Sequence, residues 1–333
     1  MEAKGFHRFA HKYFSGACAN FAQVCCGVLE QNGDKMKKLL FIYNPNAGTG
    51  NLKSNLADVI EVFVNADYEV TVYPTRKQLD AKTKLENLKN DYDLIVCSGG
   101  DGTLNEVVNG MAKWEKKVPI GYLPAGTTND FANSMGISRN VVEAAKTAIS
   151  GRTFPRDIGK FADTYFTYVA AFGAFSDVSY KTDQGIKNIM GQLAYVMEGT
   201  KRIFNIPSYK VEVHFDDKII EDEFIFGMVS NSYSVGGFKN FINQDVVFDD
   251  GFFEVFLVRV PKSPIEANEI AASVILKQTN STVISAFKAS HVRFKFEEMV
   301  PWALDGEYGG HHESVTIENK PRHLEFMVDS EYL

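Results

Sequence analysis

The fold of this chain is decided by the stretch Leu94-Ile95-Val96-Cys97-Ser98-Gly99-Gly100-Asp101-Gly102-Thr103-Leu104-Asn105-Glu106. Its apolar beginning predicts a buried strand that runs straight into a glycine-rich turn, and a helix is predicted over Leu104–Trp114. Glycines let backbone N–H groups approach an anion, and the N-terminus of the following helix adds a favourable partial charge. We therefore predict that Gly99–Thr103 binds phosphate groups.

Strands and helices alternate on both sides of this stretch, which is typical of a parallel sheet covered by helices. In such a sheet the carboxyl ends of the strands form the ligand crevice. Two further turns of small residues, Asn44–Gly50 and Pro124–Asp130, follow predicted strands. Together the three turns predict a phosphate or nucleotide site. The predicted strands are Leu39–Tyr43, Glu69–Tyr73, Leu94–Cys97 and Ile120–Leu123.

The second half of the chain is rich in short strands, which is typical of an antiparallel sandwich or barrel. We predict strands over Tyr165–Ala171, Tyr209–Phe215, Phe224–Ser230, Phe252–Val260 and His291–Phe296, helices over Ile186–Phe204 and Ile265–Leu276, and a last strand, His323–Val328, that returns to the first half.

We predict an α/β protein with two domains. The first is a three-layer α/β domain with a parallel sheet, over residues 36–157 with a return strand at about 322–330. The second is a larger β-rich sandwich over residues 158–321. We interpret residues 1–35 as an N-terminal extension, either frayed or the product of an upstream start codon, with a membrane-surface helix as the alternative.

Composition excludes several other classes of protein. The 333 residues are 45% hydrophobic, which indicates a globular chain with a core. The net charge of -7, without a basic run, argues against a nucleic-acid partner. The 4 cysteines show no disulfide or zinc spacing, which favours the cytoplasm. No apolar run reaches the ~20 residues that span a bilayer.

A family resemblance emerges from these motifs. The turn Gly99–Thr103 and the following Leu104-Asn105-Glu106-Val107-Val108-Asn109-Gly110 resemble the signature of the diacylglycerol kinase catalytic domain, which sphingosine and ceramide kinases share. Tyr43–Gly48 and Leu123–Ala132 are similar to two more motifs of that family. The nearest resemblance is to the soluble bacterial diacylglycerol kinase-like lipid kinases, from about Met36 to the end of the chain.

The resemblance implies an ATP-dependent kinase that phosphorylates a lipid hydroxyl, with diacylglycerol as acceptor and phosphatidic acid as product. It also implies that the first domain binds ATP, that the second takes the lipid substrate, and that the ATP cleft lies between them. Asp101 would act through Mg²⁺ or a water near the phosphates rather than as the base. The implied ATP-binding residues are Asn44, Pro45, Asn46, Ala47, Gly48, Thr75, Gly99, Gly100, Asp101, Gly102, Thr103, Leu104, Asn105 and Thr127.

A second carboxylate motif, Asp305-Gly306-Glu307, lies near the C-terminus. Asp-Gly by itself predicts a hairpin turn. The family carries the same triplet, so the resemblance implies that Asp305 or Glu307 accepts the proton of the lipid hydroxyl. We favour Glu307 as the base and Asp305 as a magnesium or orienting group, although the sequence does not separate the two.

A third motif, Asp249-Asp250-Gly251, also predicts a hairpin turn. In the bacterial lipid kinases that it resembles, the matching turn holds a structural Mg²⁺. Carried over, Asp250 would ligate the ion through its carboxylate, and Val247 and Phe252 through their carbonyl oxygens. Hard oxygen donors of this kind suit the ion.

Two other functions compete with a lipid kinase. NAD kinases share the Gly-Gly-Asp-Gly-Thr turn, but Asp305-Gly306-Glu307 is more similar to lipid kinases. NAD kinases usually carry a further glycine- and Asp-rich motif in the second domain, and we do not find it in this sequence. A non-catalytic nucleotide-binding protein would lack the carboxylates that this chain retains. The resemblance also implies a lipid partner reached at the inner face of the membrane, and some bacterial relatives form homodimers. We predict that His311-His312 lies in an exposed loop.

Overall fold

The computed structural model describes residues 36–48, 51–88, 91–173, 206–235, 238–239, 246–276 and 281–331. The predictions for residues 1–35 and for a helix over Ile186–Phe204 lie outside the described residues. The described helices are α1 (Asn51–Asn65), α2 (Asp80–Glu86), α3 (Asp101–Met111), α4 (Asp130–Ser134), α5 (Val141–Ser150) and α6 (Pro264–Leu276).

The described strands overlap the predicted ones. They are β1 (Lys37–Tyr43), β2 (Tyr68–Pro74), β3 (Leu94–Gly99), β4 (Ile120–Pro124), β5 (Arg152–Phe161), β6 (Thr164–Phe166), β7 (Val169–Gly173), β8 (Tyr209–Phe215), β9 (Lys218–Ser230), β10 (Ser234–Val235), β11 (Phe238–Lys239), β12 (Phe253–Arg259), β13 (Ile284–Ala289), β14 (His291–Leu304) and β15 (Glu307–Val328). The strands β9, β14 and β15 extend well beyond their predicted bounds.

The first four strands pair in parallel, in the order β4-β3-β1-β2. Every residue of β3 and β4 is buried, whereas the edge strand β2 alternates between half-buried and exposed positions. This difference follows from position, because central parallel strands are covered on both faces. The carboxyl ends of these strands lie at one edge, and the turns of the candidate site follow them.

Pairing that is mainly antiparallel joins nine further strands to this sheet, while β10 and β11 form a separate two-stranded sheet. The strand β15 pairs with β14 and β5, and at Phe326 it pairs in parallel with Ile120 of β4. Within the described residues, a sheet of 13 strands results. One cluster of buried side chains, including Phe41 and Phe131, packs around the first strands, and another, including Phe172 and Trp302, packs within the strand-rich part.

The coarse prediction is therefore confirmed: the protein has a mixed α/β fold with a β-rich C-terminal region. The domain boundaries and the three-layer arrangement stay predictions. None of the helices in the described part of the chain is both long and apolar enough to span a bilayer.

Two local predictions were wrong. The predicted strand Tyr165–Ala171 is divided between β6 and β7, because the N–H groups of Thr167 and Tyr168 donate to the Asp305 carboxylate instead of to a neighbouring strand. His311 and His312 lie inside β15 rather than in a loop, because they pair with Pro301 and Val300 of β14.

Candidate functional site

The turns that follow β1, β3 and β4 are held side by side by main-chain hydrogen bonds. The amide of Asn44 donates to the carbonyl of Ser98 at 2.9 Å, and the amide of Ala125 donates to the carbonyl of Gly99 at 2.8 Å. After β2, the amide of Thr75 donates to a carbonyl of β1 at 2.8 Å. The structure thus brings together the predicted nucleotide residues of Asn44–Gly48, Thr75 and the turn after β3.

Glycines allow these turns to approach more closely than side chains would permit. Gly48 has φ +59°, and a Cβ there would lie 1.9 Å from the carbonyl oxygen of Ala125. A Cβ on Gly126 would lie 2.6 Å from the Cα of Gly100. The contacting faces of the three turns are therefore main chain, which is the surface that phosphate-binding loops present.

Helix α3 begins inside the predicted phosphate turn. Gly100 is its N-cap residue and offers no side chain to the first-turn N–H groups. The Thr103 side chain packs against Gly99, where a Cβ would lie 2.3 Å from Thr103 Oγ1. Leu104 is fully buried, so its side chain belongs to the core. The helix N-terminus carries partial positive charge, which favours an anion.

Asp101, the first residue of α3, lies beside the N-terminus of α4. Its carboxylate accepts hydrogen bonds from the amides of Asp130 at 3.2 Å and Phe131 at 3.4 Å. Burial raises the pKa of Asp101 to about 7, and the nearby carboxylates of Asp130 and Asp305 act in the same direction. Asp101 therefore changes charge near neutral pH, unlike an ordinary surface Asp.

The turn after β4 is fixed by Asn129, which has left-handed backbone angles. The Asn129 side-chain amide donates to the carbonyl of Gly126 at 2.8 Å, and its oxygen accepts from the Gly126 amide at 3.0 Å. The Tyr122 hydroxyl donates to the carbonyl of Gly99 at 3.2 Å. Thr127 stays exposed at the tip of this turn, and Asn129 rather than Asp130 is the N-cap of α4.

Glu307 lies on the other side of α3. It is the first residue of β15, after a two-residue turn in which Asp305 and Gly306 have φ +49° and +85°. Positive φ at both positions is what a type I′ hairpin requires. The Glu307 side chain is directed at the phosphate turn, because a Cβ on Gly102 would lie 2.9 Å from Glu307 Oε1. This contact joins the two motifs that the sequence singled out.

Asp305 has a different environment from Glu307. It is 1% exposed, and its carboxylate accepts five hydrogen bonds, from the amides of Thr167, Tyr168 and Val169, the Thr167 hydroxyl and the Asn105 side chain, at 2.6 to 3.0 Å. Burial raises the pKa of Asp305, and the main-chain donors oppose that rise. Both oxygens are occupied, so little lone-pair capacity is left for a metal ion or a proton.

Two asparagines of α3 extend this network to β6. Asn105 donates to Asp305 at 2.8 Å and to the carbonyl of Tyr165 at 3.1 Å. Asn109 donates to the same carbonyl at 2.9 Å and accepts from the Tyr165 amide at 2.9 Å and the Thr164 hydroxyl at 2.8 Å. The predicted nucleotide residue Asn105 therefore has its side-chain amide directed at protein groups, which fixes the orientation of the helix.

The candidate metal turn lies apart from these contacts. The Asp250 carboxylate accepts from the amide of Phe252 at 2.9 Å and from Lys288 Nζ at 3.2 Å. Val247 and Phe252 are each 43% exposed. Asp157 accepts from the amide of Gly251 at 2.7 Å, which brings a second carboxylate to the turn. Among the described residues, no group of three His, Cys, Asp or Glu side chains is arranged as a metal site.

Sequence reasoning missed several of these residues. Asp130 was included only as the end of the turn Pro124–Asp130, and Asp157 only as the limit of the first domain. Lys288 and Glu254 were not singled out, although Glu254 is 1% exposed and burial raises its pKa to about 7. The Asn-Asp pair after a glycine turn was the available signal for Asp130. The others acquire their role only through contacts between distant strands.

The sequence of this chain is similar to those of known diacylglycerol kinases. The profile of the diacylglycerol kinase catalytic domain matches residues 38–161. The diacylglycerol kinase of Bacillus subtilis (strain 168) is 35% identical over 83% of this chain and 91% of its own length. The diacylglycerol kinase of Staphylococcus carnosus (strain TM300) is 31% identical over 82% of this chain and 90% of its own length.

Solved structures agree with the sequence relatives. The crystal structure of a diacylglycerol kinase from Bacillus anthracis str. Sterne superposes with a TM-score of 0.71 at 26% identity, over 90% of this chain and 99% of that one. Another structure from the same strain reaches a TM-score of 0.78 at 27% identity, with the same coverage. The chain therefore belongs to the diacylglycerol kinase family of lipid phosphotransferases.

Proposed function

We propose that this protein transfers the γ-phosphate of ATP to a lipid hydroxyl, with diacylglycerol as acceptor and phosphatidic acid as product. One observation carries the proposal beyond family membership. The exposed carboxylate of Glu307 lies against Gly102, in the first turn of the helix that follows the phosphate turn. An acid-base group is thus within reach of the position at which a γ-phosphate on that turn would meet its acceptor.

On the donor side, main-chain N–H groups of the turn after β3 and the start of α3 hold the phosphates of ATP. The close approach of Gly48 to Ala125 and of Gly126 to Gly100 supports this role, because it leaves main chain to line the crevice. The proposed ATP contacts are Asn44, Pro45, Asn46, Ala47, Gly48, Thr75, Gly99, Gly100, Asp101, Gly102, Thr103, Leu104, Asn105 and Thr127, with Leu104 contributing main chain only.

Mg²⁺ bound with ATP would neutralise charge on the β- and γ-phosphates. Asp101 and Asp130 fit such an ion in donor type, because they bring two carboxylates to the start of α3 and α4. Burial raises the pKa of Asp101 to about 7, and a nearby cation would lower it again. Asp101 thus serves the donor side of the reaction, and the acceptor is activated elsewhere.

On the acceptor side, Glu307 accepts the proton of the lipid hydroxyl while the hydroxyl oxygen of the lipid forms a bond to the γ-phosphorus. The bond between that phosphorus and the bridging oxygen breaks, and ADP leaves with the electron pair. Asp305 acts as a positioning residue, because its five hydrogen bonds fix the hairpin turn that carries Glu307. The exposure of Glu307 and the burial of Asp305 support Glu307 over Asp305 as the base.

A structural Mg²⁺ at the turn Asp249–Gly251 is a further part of the proposal. The Asp250 carboxylate with the carbonyl oxygens of Val247 and Phe252 offers hard donors that suit the ion. Lys288 Nζ now lies 3.2 Å from Asp250, so binding would require this lysine to move. Crystals soaked in Mn²⁺ test the site: an anomalous peak beside Asp250 is expected, and its absence contradicts the assignment.

We infer two domains, with ATP in a cleft between a three-layer α/β domain and a β-rich sandwich. Separate buried clusters around Phe41 and around Trp302 support this division. We further infer a cytoplasmic enzyme that reaches its lipid at the inner membrane face, and a homodimer. Light scattering of the purified chain measures its oligomeric state, and a monomeric mass contradicts the dimer.

The decisive test offers radiolabelled ATP to the purified protein with diacylglycerol micelles, other lipid hydroxyls or NAD. We expect labelled phosphatidic acid, and no labelled NADP. Product identification by chromatography and mass spectrometry separates lipid kinases from NAD kinases. Label transfer to NAD alone, or no transfer to any acceptor, contradicts the proposed function.

A further inference from the structure

The loop between β2 and α2 carries an arginine that the phosphotransfer chemistry does not use. We call residues 75–79 the β2–α2 loop. Arg76 directly follows Thr75, a proposed ATP contact whose amide donates to the carbonyl of Tyr43 on β1 at 2.8 Å. Arg76 therefore lies at the carboxyl edge of the parallel strands, next to the proposed nucleotide crevice.

The order of the strands indicates which end of ATP this loop would meet. Beyond β4 the sheet continues to β15 and β14, which flank the turn with the proposed base, whereas β2 is the edge strand on the opposite side of β3. The attacking and leaving oxygens of phosphoryl transfer are roughly in line, so ADP lies opposite the acceptor. From the turn after β3, the nucleoside thus extends toward β2, about 10 Å or two strand spacings away.

The guanidinium of Arg76 is held along one edge. Its Nε donates to Asp80 Oδ2 and its Nη2 to Asp80 Oδ1, both at 3.2 Å. The Nη2 also donates to the Tyr73 hydroxyl at 3.3 Å. A bidentate pairing of this kind fixes the plane of a guanidinium in one orientation. Asp80 is 4% exposed, whereas the Arg76 side chain is 75% exposed, so the fixed plane is open to a ligand.

This ion pair persists at neutral pH. The hydrogen bonds from Arg76 lower the pKa of the Asp80 carboxyl to about 2, and the Tyr73 hydroxyl also donates to it at 3.2 Å. An ion pair with one partner in solvent adds little to the stability of a fold, because water screens it. What the pair does provide is a planar cation with a set orientation beside Thr75.

The other end of the loop is attached to the helix that begins at the phosphate turn. Glu106 of α3 accepts hydrogen bonds from the amides of Leu79 at 2.8 Å and Ala81 at 3.1 Å. Leu79 has φ +63°, a conformation that a leucine keeps only where its surroundings hold it. The loop is thus attached to β1 at Thr75 and to α3 at Leu79, which sets the position of Arg76 relative to the phosphate turn.

We propose that Arg76 binds the adenine ring of ATP by stacking its guanidinium on the base, with Asp80 as a positioning residue. A planar, delocalised cation stacks on aromatic faces, whereas the ammonium of a lysine is compact and strongly hydrated. The inference rests on the proposed function, because it takes ATP as the phosphate donor. It adds a residue for the base to a site whose other proposed contacts lie mainly in the phosphate turns.

Isothermal titration calorimetry of the full chain tests this site with Mg²⁺-ATP and with tripolyphosphate, which lacks the base. We expect the Kd of ATP to rise about five- to tenfold in Arg76→Gln, and nearly as much in Arg76→Lys, which keeps the charge but not the plane. Lys77→Gln is the matched control, an exposed cation of the same loop, and should stay within about twofold of the wild type. Tripolyphosphate should bind equally to all forms.

A variant of Asp80 tests the positioning role. Asp80→Asn keeps the size of the side chain but no longer holds the guanidinium by a charged pair, so we expect it to weaken ATP binding about as much as Arg76→Gln does. The double variant should bind no more weakly than either single variant, because the two residues act as one unit. Unchanged tripolyphosphate binding shows that the phosphate turns remain folded, and the kcat at saturating ATP should match the wild type.

The outcomes separate this proposal from the proposed function. Unchanged ATP affinity in Arg76→Gln overturns the stacking, and so does an equal loss of affinity for tripolyphosphate. Wild-type affinity in Arg76→Lys also overturns it, because charge alone would then suffice. If the variants differ in ATP binding as expected but no form of the protein phosphorylates a lipid, the proposed function fails and the assignment of Arg76 stands.

Discussion

Two glycine-containing turns meet at the start of α3, the phosphate turn after β3 and the hairpin turn before β15. Their carboxylates differ in burial. The turn after β3 buries its single acid, Asp101, beside Asp130. The hairpin turn before β15 divides its two acids, so that Asp305 is buried with five donors and Glu307 is exposed over Gly102. Motif membership therefore does not define a role, because burial and partners decide which acid is chemically accessible.

The largest expected effect concerns Glu307. Glu307→Gln keeps the size of the side chain but removes the base, so we expect kcat to fall by about 10²- to 10⁴-fold. Thermal unfolding should stay near the wild-type value, because Glu307 is exposed. The matched control is Glu221→Gln, an exposed glutamate on β9 that should retain full turnover. Retention of more than a tenth of kcat in Glu307→Gln contradicts its assignment as base.

At Asp305 we expect a substitution to lower mainly the stability of the protein. Asp305→Asn turns an NH₂ group toward N–H donors and should lower the free energy of unfolding by about 3 kcal/mol, measured in urea. Asn tolerates the left-handed backbone at φ +49°, so backbone strain is not the cause.

Asp216 provides a matched control for that variant. It has φ +48° in another hairpin turn but is exposed, so Asp216→Asn should change stability by less than about 0.5 kcal/mol. Equal stability of the two variants would contradict the structural role of Asp305.

The pH dependence of stability tests the buried turn. The pKa of Asp101 is raised to about 7, above the ordinary value of 3.8, so the folded protein binds a proton that the unfolded chain has released. This contribution is complete below about pH 4 and is lost as pH rises to about 7. Between pH 5 and 7 the loss amounts to about 2 kcal/mol.

Asp101→Asn should flatten this slope, measured by urea denaturation across the same pH range. The pKa of Glu254 is also raised to about 7, so this residue also makes the protein less stable as pH rises. Glu254→Gln serves as the comparison variant and should remove only the part of the slope that Glu254 causes. Unfolding free energies of Asp101→Asn that fall as steeply as those of the wild type would refute the charge change at Asp101.

The smallest effect probes the contact between the two turns. Gly102→Ala places a methyl group 2.9 Å from Glu307 Oε1, and the flexible Glu307 side chain can move away. We expect stability within about 1 kcal/mol of the wild type, since Ala suits a helix better than Gly, but about a tenfold lower kcat.

The double variant Gly102→Ala/Glu307→Gln serves as the control. If the methyl group acts by displacing Glu307, Gly102→Ala should lower kcat little further once the base is absent. A tenfold fall on the Glu307→Gln background as well would indicate that the methyl group disturbs the phosphate turn and not the approach of Glu307.

The hairpin turn at Asp305-Gly306 could be predicted from the sequence, but its hydrogen-bond partners could not. The Asp-Gly dipeptide predicts a hairpin turn, and the positive φ of both Asp305 and Gly306 identifies it as type I′. The same dipeptide could not predict that β6 and β7 would separate so that Thr167 and Tyr168 donate to Asp305. The partners Asn105 and Asp305 lie 200 positions apart, beyond any local pattern.

The sequence by itself determined what depends on neighbouring residues. The apolar run before Gly99 set a buried strand, the glycines set a turn that main chain can line, and Asp305-Gly306 set a hairpin. Tertiary structure alone decided that Glu307 reaches Gly102, that Asp305 is saturated with donors and that Lys288 lies against Asp250. The physical reason is that pKa, accessibility and hydrogen-bond saturation are properties of an environment, which distant strands create only when they pack.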